Sequence, residues 1–406
     1  MSRLEQLIAE LCPNGVEYEK FENVCKYIRG VTYKKTQEVN SEASNARKVL
    51  RANNITLSTN ELNFDDVKLI SRKVKVREDQ ILRKEDILIC AGSGSKEHIG
   101  KTAYISEDMD YTFGGFMAVI RCCKELNSRF FFHILTSELF SKHLRNTLNS
   151  STINNLNAEI MNNFRFPLPP LPVQQEIVRI LDNFTELTAE LTAELTAELT
   201  ARRKQYEYYR DLLLTFGDDV PRLAISDLLI RTKGTNITAQ KMRQLHKENG
   251  EVRIFAGGKT YADVDFKDIP KKDINLNPSI IVKSRGIIEF EYYDKPFSHK
   301  NEFWSYYSEN KNVNIKFVYY YLSKNANYFQ RIANNMQMPQ ISIPVTDKYK
   351  VPLPPIKEQE CIVAILDRFD ALCNDLTSGI PAEIEARQKQ YEYYRDKLLS
   401  FKEVTA

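Results

Sequence analysis

The sequence is poor in the residue patterns that catalysis and metal binding require. Its seven cysteines are odd in number and contain no CxxC pair, which excludes a disulfide framework and a zinc ribbon. Cys90 and Cys122-Cys123 sit in apolar surroundings and read as buried thiols. The five histidines, at 98, 133, 143, 246 and 299, form no HExxH pair, and His133 and His143 read as helix-surface or internally satisfied residues. A GxSxG elbow and an Asn-Pro-Pro-Tyr type methyltransferase motif are both missing. No run of 18 apolar residues occurs and the N-terminal MSRLEQLIAEL is charged throughout, so neither a membrane span nor a signal segment is expected, and the expected location is cytoplasmic. Charge of one sign is lacking too: 57 Lys and Arg meet 54 Asp and Glu, and a net of +3 by itself points to no polyanionic partner. A chain of 406 residues with 42% hydrophobic content can still build two or three domains, and with no catalytic constellation in the sequence a binding or scaffold role is favoured.

What is present is repetition. The tetrad Thr-Ala-Glu-Leu is read three times in succession, over 188–191, 192–195 and 196–199, in a stretch free of Gly and Pro. Such a segment is helical, and Leu187, Leu191, Leu195 and Leu199 form a stripe that rotates by about 40° per step. A second repeat governs the whole chain. Residues 168–184, LPPLPVQQEIVRILDNF, align without a gap to 353–369, LPPIKEQECIVAILDRF, at a shift of 185. At the same shift the leucine stripe falls on Leu372, Leu376, Ile380 and Ile384, and KQYEYYRD recurs at 204–211 and 389–396. A weaker match joins 15–30 to 219–234, in apolar spacing and in ending basic-Gly. Prolines before each helical segment fix extended backbone. A helix over 173–215 would span about 64 Å, whereas Gly379 and Pro381 should break its twin. Each helix needs a partner for its apolar face, so the two are expected to pair antiparallel, relating two dissimilar blocks by a pseudo-twofold axis. The division is 1–165, a helix over 166–216, 217–349, and a helix over 350–406.

The two blocks read as mixed α/β, with strands at 86–91, 101–105, 116–122, 279–284 and 287–293 and helices at 129–148 and 316–334. They also hold the basic excess: 24 basic against 21 acidic residues in 1–165, and 20 against 15 in 217–349. In the first block, GSGSKEHIGKT at 92–102 ends like a phosphate-binding loop, but Ser95 stands where that motif needs Gly and a strand follows where it needs a helix. A polar DNA-contacting loop fits better, with Ser93, Ser95, Lys96, His98 and Lys101 as donors, or else an ordinary basic hairpin. In the second block Lys259, Lys283, Arg285, His299 and Lys300 are candidate DNA contacts. Asn154 and Asn155, with Gln337 and Gln340 in the corresponding loop, can pair with adenine edges or simply form turns. The tyrosine cluster is copied unchanged, which suits two identical partners better than two different base sequences. Tyr206, Tyr208, Tyr209 and Arg210, with Tyr391, Tyr393, Tyr394 and Arg395, are therefore assigned to helix-end packing and subunit docking.

This layout, with two dissimilar blocks each followed by an LPP…QxxIVxILD helix ending in KQYEYYRD and tetrads in the first helix, resembles the specificity subunit of a type I restriction-modification system, in its IC branch. The resemblance covers the whole chain. It implies two target recognition domains that each read one half of a split double-stranded DNA site, and helices that act as a measuring rod and bind two modification subunits. It further implies that this chain carries no cofactor: S-adenosylmethionine belongs to the modification subunits, and ATP with Mg to the restriction subunits. Two other readings stay open, a nucleotide-dependent enzyme using the Gly100–Thr102 loop and a purely structural tether.

Overall fold

The repeat in the sequence is a repeat in space. The computed structural model describes all residues except 1, 40–45, 149–154, 259, 335–338, 376–377 and 405–406. The chain forms two compact units, one of Met1–Ala193 with Glu385–Ala406 and one of Glu194–Ile384.

In the first unit the strands Tyr18–Lys20 and Arg165–Pro167 pair antiparallel and form a neck at the two ends of the block. Beyond the neck lies an antiparallel sheet in the order Cys25–Arg29, Met117–Cys122, Ile87–Cys90, Thr102–Tyr104. A second sheet runs Lys68–Ser71, Ala46–Leu50, Tyr111–Phe113, with the last pair parallel. The second unit repeats this plan strand for strand. Its neck pairs Arg222–Ala224 with Lys350–Pro352. Its four-stranded sheet runs Ile230–Thr232, Trp304–Tyr307, Ser279–Lys283, Glu289–Tyr293, and its three-stranded sheet Tyr261–Val264, Val252–Phe255, Phe297–His299. The neck strands keep both sequence shifts, 204 at the entry and 185 at the exit, so the faint match of 15–30 to 219–234 is structural.

Each central strand is apolar on both faces because each face has a core to fill. Ile87 and Ile89 join the cluster under the helices, while Leu88 and Cys90 join the cluster between the sheets. Ile280 and Val282 likewise face the helices, and Ile281 faces Phe255 and Phe297. The single helices expected over 129–148 and 316–334 are each two: Ser128–Leu135 with Glu138–Leu148, and Ile315–Lys324 with Ala326–Ala333. The breaks fall where polar side chains turn onto the backbone. The Ser137 hydroxyl donates to the Ile134 carbonyl, and the Asn325 amide to the Tyr321 carbonyl.

The first rod helix runs unbroken over Leu171–Leu213. Its twin is interrupted, as Gly379 and Pro381 lead one to expect, into Ile356–Asn374 and Ile380–Leu398. A Cβ at Gly379 would stand 2.6 Å from the Ala371 carbonyl oxygen, so only glycine fits at the break. The helices run antiparallel. In the first unit Phe184 packs on Tyr394 with ring centroids 6.2 Å apart, and in the second Phe369 packs on Tyr209 at 5.6 Å. These two contacts are copies of each other at shift 185.

The chain also returns to its beginning within the first unit. The Val16 N–H donates to the Lys402 carbonyl at 2.8 Å and the Val404 N–H to the Val16 carbonyl at 3.1 Å. Leu399 is buried in the first unit's core beside this bridge. Gly15 has φ +112° and its missing Cβ would lie 2.5 Å from the Lys402 oxygen, so the closure requires glycine.

Candidate nucleic-acid interface

In each unit the segment leaving the central strand of the larger sheet is bridged to the loop before the last short helix. In the first unit the bridge joins Gly92 to Asn155, and in the second it joins Arg285 to Gln340. Asn155 and Gln340 correspond at shift 185, so the two bridges occupy one place in a common frame. Around the first bridge the Leu156 N–H donates to the Ala91 carbonyl at 2.7 Å, and the Arg29 guanidinium donates to the Asn155 side-chain oxygen at 3.2 Å. Around the second, the Ile341 N–H donates to the Ser284 carbonyl at 3.0 Å and the Gly286 N–H to the Pro339 carbonyl at 2.8 Å. Arg285 is half-exposed and 3.6 Å from Glu302, and Gln340 is exposed.

The other candidate contacts separate by burial. Ser93 is half-buried and accepts from the Ser95 N–H at 3.2 Å, Ser95 is exposed, and Lys96 opens a short 3-10 turn, Lys96–His98. His98 is half-buried, with its Nδ1 enclosed and lacking a hydrogen-bond partner among the described residues. Asn154, Lys259 and Gln337 lie outside the described residues.

Three expected contacts do not face solvent. Lys101 is buried and its ammonium donates to the Ile55 carbonyl at 2.8 Å, and burial pushes its pKa down. Thr102 then opens a strand, so this loop presents neither the lysine nor the helix N-terminus of a phosphate-binding loop. Lys283 is buried on the last position of its strand, with its ammonium 2.8 Å from Glu291 and 3.6 Å from Glu289 on the neighbouring strand. His299 is buried, with Nδ1 3.1 Å from the Lys300 carbonyl and Nε2 3.2 Å from the Ser305 hydroxyl, and burial holds its pKa down at about 4. Lys300 is only partly exposed and pairs with Glu302 at 2.8 Å.

The rod residues divide in a similar way. Ile380 is buried and Leu191, Leu195, Leu199 and Ile384 are half-buried, while Leu376 lies outside the described residues. Leu187 is 60% exposed and its counterpart Leu372 is 37% exposed. A four-residue spacing winds the stripe by about 120° over three steps, more than one antiparallel partner can cover. Of the copied tyrosines, Tyr209 and Tyr394 lie on Phe369 and Phe184, and the Tyr391 hydroxyl is 3.0 Å from that of Thr185. Tyr206 also reaches Phe369. Arg210 and Arg395 each lie 5.8 Å over their own Tyr206 and Tyr391. Tyr208 and Tyr393 are 64% and 62% exposed, so both copies present the same ring to solvent.

Sequence reasoning passed over the joint between block and rod. Gln174 is fully buried; its amide donates to the Glu125 and Pro169 carbonyls and its oxygen accepts from the Asn127 N–H. Gln359 makes the same three bonds, to Asn312, Pro354 and Asn314. Eight residues on, Asp182 accepts from Arg129 at 2.9 Å and lies 3.0 Å from His133, while Asp367 accepts from Lys316 at 2.8 Å. The same Gln at one fixed place in both copies, among neighbours that differ, was the available signal.

Residues 13–201 and 223–386 match the type I restriction modification DNA specificity domain. The chain belongs to that family. It is 32% identical over 332 residues to a putative type I restriction enzyme specificity subunit of Haemophilus influenzae, covering 75% of this chain and 84% of that protein. It is 34% identical over 251 residues to the EcoR124I/EcoR124II specificity subunit of Escherichia coli, covering 58% of this chain and 61% of that protein. The fold is shared with a chain from a study of complex assembly and conformational transition of the type I R-M system, at TM-score 0.67 and 14% identity over 95% of this chain and 98% of that one. It is also shared with the HsdS subunit from Thermoanaerobacter tengcongensis, at TM-score 0.53 and 15% identity over 96% and 97%. As a member of the specificity family the protein is the DNA-recognising, non-catalytic component of a type I restriction-modification system.

Proposed function

We propose that this specificity subunit reads a bipartite double-stranded DNA target, one half through 1–165 and the other through 217–349. The helices over 166–216 and 350–406 set the separation of the halves and dock two modification subunits, to which restriction subunits add. S-adenosylmethionine is then held by the modification subunits, and ATP and Mg by the restriction subunits, in the cytoplasm. The tetrads suit an IC-type member. One observation carries the reading: the two bridges share a frame but differ in residues, Gly92 with Asn155 against Arg285 with Gln340, while the tyrosine block KQYEYYRD of the rod is copied unchanged at 204–211 and 389–396. Different side chains on one frame suit two different half-sites, and an identical tyrosine block on each rod helix suits two identical partners.

Arg285 can pair with guanine O6 and N7, and Gln340 with adenine N6 and N7. Replacing both with Ala, in a host that also carries the modification subunit, should relax one half of the methylated motif by roughly tenfold or more per contacted base pair. The other half should keep its base preferences. Mapping methylated sites across the host genome reads both halves at once, and equal relaxation of the two would overturn the division into independent readers.

A further inference from the structure

Phe116 and Ile287 are each 74% exposed, more than any other large apolar side chain among the described residues. A single exposed apolar residue is ordinary on a protein surface. These two share a position that makes them notable. Phe116 lies against the first bridge: its carbonyl accepts from the Ala91 and Gly92 N–H groups at 2.8 and 3.0 Å, and a Cβ on Gly92 would come within 3.0 Å of its ring. Ile287 stands two residues from Arg285 in the second bridge. The backbone there is pinned on both sides, by Gln330 donating to the Gly286 carbonyl at 3.2 Å and accepting from the Ile288 N–H at 2.7 Å. The two residues come from different loops of the common frame. One precedes the strand Met117–Cys122, and the other joins Ser279–Lys283 to Glu289–Tyr293. Two separate loops thus bring an apolar side chain to the same kind of place.

The surroundings are polar. Beside Phe116 are the Arg29 and Asn155 pair and, across Gly115, the exposed Thr32, followed by exposed Lys34 and Lys35. Beside Ile287 are exposed Arg285 and Gln340. Cations and amides around one apolar group match the edge of a base pair in the major groove, where the thymine 5-methyl is the one apolar feature among donors and acceptors. Phosphates would leave the apolar group without a partner.

We propose that Phe116 and Ile287 are specificity-determining residues, each packing on the 5-methyl group of a thymine in its own half-site. This rests on the reading of two independent half-site readers. The backbone bonds on either side of each residue hold it in place before DNA arrives, so the contact needs no loop ordering.

The test uses the full chain assembled with its modification subunits and duplexes in which each thymine of the target is replaced singly by uracil, which lacks only that methyl. One substitution in each half should weaken wild-type binding by about fourfold, the loss expected for one buried methyl-sized group. F116A should lose sensitivity to uracil in one half and I287A in the other, with F116L retaining part of it. The proposal is overturned if either variant remains as sensitive as wild type. It is also overturned if F116A weakens binding equally on all sequences with uracil inert, which would mark a wedge or a packing role. If the Arg285 and Gln340 replacements still relax one half while uracil is inert, only this inference falls. If those replacements relax both halves equally, the underlying division falls with it.

Discussion

Single side chains in this protein are decided by which face of a strand or helix they occupy, and charged residues show it best. Lys283 and Arg285 are two residues apart, yet Lys283 ends a buried strand between two glutamates and Arg285 lies beyond it in the bridge. The basic character of VKSRG was legible; the strand's last residue was not, and a shift of one residue exchanges the faces. His299 was hidden for the same reason, since it closes the strand Phe297–His299, where every residue is buried. Its burial has a pH consequence. With a folded-state pKa of about 4 against the ordinary 6.5, the fold holds the neutral imidazole, and the unfolded chain takes up the proton first. Stability from this group is complete above pH 6.5 and is lost as pH falls towards 4, by about 3 kcal/mol at full effect. Thermal melts of the wild type and of H299N between pH 7.5 and 4.5 should show the second unit's transition falling more steeply with acid in the wild type. Parallel slopes would refute this.

Among elements, the tetrad helix was the most legible. Its propensity and its lack of Gly and Pro specify helix without any help from the fold, and it lies within the uninterrupted helix Leu171–Leu213. The extent of its apolar seam was less legible. Leu187 and Leu372 lie open because the stripe turns away from its partner, and Phe184 and Phe369 take over the contact through copied tyrosines. The break was readable because Gly379 and Pro381 both disfavour helix, and the structure adds that a Cβ at 379 would meet the Ala371 carbonyl. Deleting one tetrad removes about 6 Å of helix, up to about two base pairs of B-DNA, or one if the rod is inclined to the duplex. Methylome mapping of such a deletion should show unchanged half-sites at an altered separation. Altered half-sites at constant separation would exclude the spacer role.

At the scale of the molecule, the duplication was visible where the sequence had been copied and invisible where it had diverged. The proline stretches and KQYEYYRD fixed the shift of 185, and the exit strands of the two necks kept it. The equivalent sheets within the blocks share their topology without sharing a motif, since buried strands accept any well-packed apolar side chains. The joint through Gln174 and Gln359 falls inside the copied segment, yet only the structure shows that it ties block to rod. The second unit is one contiguous stretch, Glu194–Ile384, whereas the first needs Glu385–Ala406 as well. A chain truncated after Ile384 should therefore retain the second unit's cooperative melting transition and lose that of the first. Loss of both, or of neither, would contradict this division.

The bridge from Val16 to Lys402 and Val404 then has a temporal meaning. During synthesis Val16 emerges long before its partners Lys402 and Val404. This connection opposes the usual order, in which the leading domain folds first. The second unit, Glu194–Ile384, is complete in sequence before Lys402 is made, so the first keeps an open seam beside Val16 until that residue follows.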